Sequence, residues 1–157
     1  MLPRPLAWLA CLAACAPDAP ATQEEIRALA AGDCGAIRSP DLAAECLVFA
    51  VRADPARAEA LCPQIGVPFW QDECWFMAAD AADLSGEARR AACQRAGRYQ
   101  GPCIANALSR AFTQLAEDPA LRCSDRLEAE IARTLAEYHR PPDEAHAIAA
   151  RARQGCP

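Results

Sequence analysis

Lysine is missing from this chain: its 16 basic side chains are all arginines. That absence excludes Schiff-base and lysine-nucleophile chemistry. Aromatic residues make up only 6% of the 157 positions, glycine occurs 7 times, and the β-branched residues that favour strands are few. A pleated sheet has little to build on, and an alanine-dominated composition of this kind reads as all-helix. No two cysteines show the close spacing of a zinc site, and His139 and His146 stand near none of them. The C-x-x-C of a thiol-disulfide oxidoreductase is missing, and Ser39, Ser85, Ser109 and Ser124 include no G-x-S-x-G elbow. The net charge is −5 with arginines scattered among carboxylates, so there is no basic footprint for nucleic acid. These absences leave no expected catalytic residue, metal ligand or cofactor.

What is present begins with an unusual N-terminus. One positive charge at Arg4 precedes an uncharged run from Leu6 to Ala14, then Cys15 and "APDAPAT". A charged start, a short apolar run and small residues before a cut form an export signal, and the run falls well short of the roughly 20 residues of a spanning helix. Leu12-Ala13-Ala14-Cys15 resembles the lipobox of bacterial lipoproteins. Cys11 does not fit that box, because Trp8 occupies the place of a small aliphatic residue. The resemblance implies that residues 1–14 are removed, that Cys15 is acylated, and that residues 15–21 tether the domain. In that family an Asp after the cysteine retains the protein at the inner membrane; here Ala16 follows. The resemblance therefore implies a lipid anchor in the outer membrane, each buried methylene contributing about 0.8 kcal/mol.

Removing Cys11 and committing Cys15 to lipid leaves Cys34, Cys46, Cys62, Cys74, Cys93, Cys103, Cys123 and Cys156. An even set of thiols in an exported chain reads as disulfides. Their spacing repeats. Cys34, Cys62, Cys93 and Cys123 follow at intervals of 28, 31 and 30 residues, and Cys46, Cys74 and Cys103 at 28 and 29. Each first cysteine falls near the end of one helical run and each second near the start of the next, so the simplest unit is a helical hairpin of about 30 residues.

Boundary signals place helices over about 23–35, 40–53, 55–65, 68–82, 86–98, 102–117, 125–139 and 143–154. Thr22 with Glu25 and Asp125 with Glu128 have capping-box spacing. Ser39-Pro40, Asp54-Pro55 and Asp118-Pro119 put a cap before a first-turn proline, and Ser85 and Asp143 are further caps. If each hairpin's two cysteines meet across its loop, the pairs are Cys34–Cys46, Cys62–Cys74 and Cys93–Cys103. Cys123 then pairs with Cys156, after a long helix that turns at Arg140-Pro141-Pro142 and returns. Eight cysteines allow on the order of a hundred connectivities, and bridges between neighbouring hairpins are the rival arrangement.

Residues 22–157 are thus expected to form one cysteine-rich, all-α domain of disulfide-stapled hairpins in a small solenoid-like or bundle arrangement. Over roughly residues 22–120 this architecture resembles the disulfide-bridged hairpin repeats of the Sel1-like and tetratricopeptide-like class, although their glycine, alanine and aromatic signatures are not present. The resemblance implies a scaffold that binds a partner. The most suggestive surface is "VPFWQDECWF", which concentrates Phe69, Trp70, Trp75 and Phe76. Trp70 and Trp75, five residues apart, do not share a helix face, so one of the two aromatic pairs is free to point outward as a binding surface. His146, beside Asp143 and Glu144, could supply a general base, but no nucleophile stands at a recognisable spacing. The expected function is a non-catalytic, outer-membrane-anchored lipoprotein that contacts the membrane through its lipid and an envelope protein or ligand through its helices. The alternative is a periplasmic enzyme or thiol-disulfide redox protein.

Overall fold

The computed structural model describes residues 20–81 and 84–156. Cys15, the export signal and the tether up to Ala19 lie outside the described residues. Within them the architecture is all-α: α1 Gln23–Ala31, α2 Pro40–Ala53, α3 Ala58–Leu61, α4 Pro68–Ala79, α5 Gly86–Arg95, α6 Gln100–Glu117, α7 Pro119–Arg122, α8 Arg126–Glu137 and α9 Ala145–Ala152.

The helices start and stop for local reasons. Thr22 and Glu25 form the reciprocal capping box of α1, and Gly32, with φ of 72°, closes its C-terminus. The expected helix over 55–65 is instead a 3-10 turn, one α-helical turn and a second 3-10 turn. Pro63 is the cause, because it offers no N–H and its ring crowds the carbonyl four residues back. The Asp118 carboxylate accepts from the backbone N–H groups of Ala120 and Leu121 at 2.9 and 3.3 Å, the cap expected at Asp118-Pro119, and starts the short α7, which falls between the expected helix ranges. Asp125 has helical dihedrals and makes no cap, so the Asp125/Glu128 capping box does not form. Asp143 sits inside a 3-10 turn that begins at Pro142, and it does not cap α9. Ser39 makes no side-chain cap either. The Glu25 carboxylate accepts from the Arg38 and Ser39 N–H groups at 2.9 and 3.0 Å and tethers α1 to the start of α2.

Packing follows chain order. Helix α2 lies on α4, α4 on α5, α5 on α6, α6 on α8 and α8 on α9. One apolar core runs through the stack, from Ala44, Val48 and Val51 through Trp75 and Ala78 to Leu127, Ile131, Leu135 and Ala149. Alanine supplies many of its members and buries little area per residue, so the core alone is thin.

Four disulfides join Cys34 to Cys46, Cys62 to Cys74, Cys93 to Cys103 and Cys123 to Cys156, with Cα–Cα distances of 5.4–5.6 Å. These are the hairpin pairs, and no bridge among them joins neighbouring hairpins. The first two hairpins share a register finer than the cysteine period: Cys34-x2-Ile37-x2-Pro40-x5-Cys46 and Cys62-x2-Ile65-x2-Pro68-x5-Cys74. Ile37 and Ile65 are buried, and each proline begins the second helix of its unit. The third hairpin keeps the first half of this register, with buried Ala96 in place of the isoleucine and Tyr99 in place of the proline, but is two residues shorter.

Candidate functional site

The aromatic segment on α4 divides by helical geometry. Phe69, Asp72, Glu73 and Phe76 recur at three- and four-residue steps and share one face. Trp75 lies on the opposite side and is only 6% exposed, packed in the core with Cys74, Ala78 and Ala79. It does not belong to the outward surface. Trp75 stands one helix turn after Gln71 and one before Ala79, on the side of α4 that faces the core, and it is covered by the Arg95 guanidinium at 4.7 Å from its ring.

The outward cluster contains Phe69, Trp70, Phe76 and a residue that the sequence pattern did not single out, Tyr99. The Phe69 and Phe76 rings stand 6.2 and 5.6 Å from Tyr99, and Phe69 meets Trp70 edge-on at 5.2 Å. The two edge-to-face contacts of Phe69 add about 0.5–1.5 kcal/mol each beyond burial. The Arg98 guanidinium lies over Phe69 at 5.3 Å. Trp70 donates its indole N–H to the Asp41 carboxylate at 3.0 Å, joining α4 to α2. Phe69 remains 40% exposed, the least covered ring of the group.

Asp72 positions the far side of the cluster. Its carboxylate accepts from the Arg98 backbone N–H and Nε, both at 3.2 Å. The Gly97–Tyr99 turn can approach this closely because Gly97 has no Cβ; one built there would lie 2.1 Å from the Asp72 Oδ1, on a backbone with φ of 46°. Desolvation, followed by the Glu73 carboxylate, pushes the Tyr99 phenol above its ordinary value, so the ring is neutral at physiological pH. Tyr99, Arg98 and Asp72 had one legible signal. Counted six residues from the first cysteine of each hairpin, Tyr99 occupies the place of Pro40 and Pro68, where the second helix of a unit meets its neighbour.

The remaining polar groups are arranged for structure. His146 Nδ1 lies 3.1 Å from a carboxylate oxygen of Glu128 across the α8–α9 hairpin, and the nearer-in-sequence Asp143 and Glu144 are not its partners. The imidazole is exposed. Ser85 caps α5, and the Ser124 hydroxyl donates to the Leu121 carbonyl at 2.8 Å. Buried Arg89 donates to the carbonyls of Ala79 and Ala81 at 3.0 and 2.7 Å, terminating α4 before the expected residue 82. Among the described residues no group of three or more His, Cys, Asp or Glu side chains is placed to hold a metal ion. The aromatic face, by contrast, offers apolar area bordered by the Arg98 cation and the carboxylates of Asp41, Asp72 and Glu73, which suits binding.

No protein family, curated protein or solved structure matches this chain. The class defined by fold and site is therefore the one its own geometry gives: an all-α, disulfide-stapled helical-hairpin domain with a braced aromatic face.

Proposed function

We propose that this chain is an outer-membrane-anchored lipoprotein, acylated at Cys15, whose helical domain is a non-catalytic binding or cell-envelope interaction module. The observation that carries the binding part is the state of Phe69. It is left exposed while Trp70, Tyr99 and Arg98 hold it from several sides. An aromatic anchor that is already rigid loses little entropy when a partner covers it, which is the property of a binding hot spot. The export part is supported by the four disulfides, which persist in oxidising compartments.

Two experiments test the two parts separately. Cys15→Ser is expected to move the protein from the membrane fraction to the soluble periplasmic fraction; retention in the membrane without lipid sinks the anchor. Crosslinking on intact membranes is expected to capture a discrete partner with the wild type and to lose it with Phe69→Ala or Trp70→Ala. An unchanged crosslinking pattern removes the aromatic face from the function. A redox protein would instead show a readily reduced pair on alkylation of the native protein, whereas the binding reading expects no labelled thiol.

A further inference from the structure

Helices α6 and α9 both pack on α8 and leave an open groove of about 390 Å³ between them. Its lining includes none of the residues of the aromatic face, and it does not depend on the anchor. Its α6 wall combines two rows. Ile104, Leu108 and Phe112 form an apolar ridge, while Gly101, Ala105 and Ser109 beside them carry almost no side chain and leave a trough. Ile148 of α9 supplies the facing wall. From residue 101 to residue 112 the α6 wall of the groove runs ~16 Å, comparable to an extended dodecyl chain, and the small-residue trough from 101 to 109 occupies ~12 Å of it.

The groove also collects positive charge. Arg140, in the turn before α9, and Arg151, in its last turn, both line it. Five arginines elsewhere hold carboxylates, Arg90 with Glu137, Arg95 with Glu59, Arg98 with Asp72, Arg110 with Asp80 and Arg133 with Glu130, whereas Arg27, Arg38, Arg52, Arg57, Arg122 and Arg126, outside the groove, hold none among the described residues. The side chains of Arg140 and Arg151 have no such partner among the described residues. In a chain of net charge −5, two unmatched guanidiniums beside an aliphatic trough complement a ligand with an apolar body and an anionic end. The volume falls in the range of small-molecule sites, roughly 300–1,000 Å³, whose walls are mostly apolar with a few polar groups that set orientation.

We propose that the groove between α6 and α9 binds a long-chain fatty acid, with the alkyl chain along the Gly101–Ala105–Ser109 trough and the carboxylate on Arg140 or Arg151. Calorimetric titration of the disulfide-bonded protein with dodecanoate, below its micellar concentration, tests this. Saturable binding at one site is expected, with dodecanol about tenfold weaker and dodecyltrimethylammonium not bound. Arg140→Gln with Arg151→Gln is expected to weaken dodecanoate about tenfold and leave dodecanol unchanged. Ala105 and Ser109 are exposed, so Ala105→Trp and Ser109→Trp each fill the trough without entering the core, and each is expected to abolish binding while the circular dichroism melt stays native. Absence of saturable binding, equal affinity for the ammonium amphiphile, or indifference to both tryptophans overturns the proposal. Sedimentation of the unliganded protein covers the other occupant: a dimer that Ala105→Trp dissociates assigns the groove to a second copy and also overturns it.

Discussion

The three hairpins up to Cys103 and the terminal hairpin of α8 and α9 are held together differently. In the first region each disulfide closes a loop with a sequence separation of only 10–12, and Cys46, Cys62, Cys74, Cys93 and Cys103 are buried among alanines. In the second, one disulfide spans a separation of 33, Cys123 is exposed, and the helices meet through Leu127, Ile131 and Leu135, the largest fully buried side chains among the described residues. The sulfurs are core atoms in one region and a clasp outside the core in the other. Where aliphatic area is scarce, cross-links replace it; where leucine and isoleucine are available, the cross-link joins chain ends.

The largest expected effect tests that contrast directly. Chain entropy alone favours the longer loop, but only by about 1 kcal/mol between separations of 12 and 33. Removing Cys62 and Cys74 also leaves a cavity at two fully buried sulfurs, which outweighs that difference. Cys62→Ala with Cys74→Ala should therefore cost about 5 kcal/mol in urea denaturation, about 3 from chain entropy and about 2 from the cavity, against about 4 kcal/mol for Cys123→Ala with Cys156→Ala. Graded reduction followed by alkylation and mass mapping should open Cys123–Cys156 first. The reverse order in either measurement breaks the comparison.

A smaller effect is expected in the third hairpin from Gly97→Ala. The added methyl meets Asp72 on a positive-φ backbone, and a loss of about 2 kcal/mol is expected, with the Tyr99 ring resonances shifting as the turn moves away from α4. Terminal-hairpin backbone strain should give the opposite sign. His139 has φ of 55° where α8 ends, and the Arg140 N–H reaches back to the Leu135 carbonyl at 2.9 Å. This is a Schellman-type ending that glycine adopts more easily, so His139→Gly should raise stability by about 0.5–1 kcal/mol, seen as a higher midpoint in the same urea titration.

The smallest effect is local. Glu25 accepts four hydrogen bonds, from the Thr22 N–H and hydroxyl and from the Arg38 and Ser39 N–H groups. Those backbone donors hold its carboxyl down at about 2, against an ordinary 4.5. A folded-state value below the unfolded one means the stabilisation is present above pH 4.5 and is lost as pH falls towards 2. Helix α1 buries no side chain of its own, so amide exchange there should accelerate across this window while α8 stays protected. Glu25→Gln should remove the pH dependence; acceleration that persists in the variant assigns it to other carboxylates.

Legibility in the sequence divided along the same lines. The helices, most of the proline-led starts and the reciprocal Thr22–Glu25 cap depend on residues within a turn of one another, and local patterns report them. The cysteine period separated hairpins because a loop of a dozen residues brings its own ends together. Apart from the break at Pro63 and the caps at Ser39, Asp125 and Asp143 that do not form, what the pattern missed involves partners distant in sequence. Asp41 with Trp70, Asp72 with Arg98 and Glu128 with His146 are 29, 26 and 18 residues apart. Tyr99 joins the aromatic face only because α4 packs against the Gly97–Tyr99 turn.

By itself, then, the amino-acid order determined an all-α chain cut into cysteine-marked hairpins, because helix propensity, capping and short-loop closure are local energies. Tertiary packing alone decided that Trp75 turns inward while Phe69 stays outside, that Asp72 meets the Arg98 turn, and that α6 and α9 leave a groove on α8. Those outcomes depend on which faces of successive hairpins come together, and contacts between distant segments are invisible to any window of sequence shorter than the distance between them.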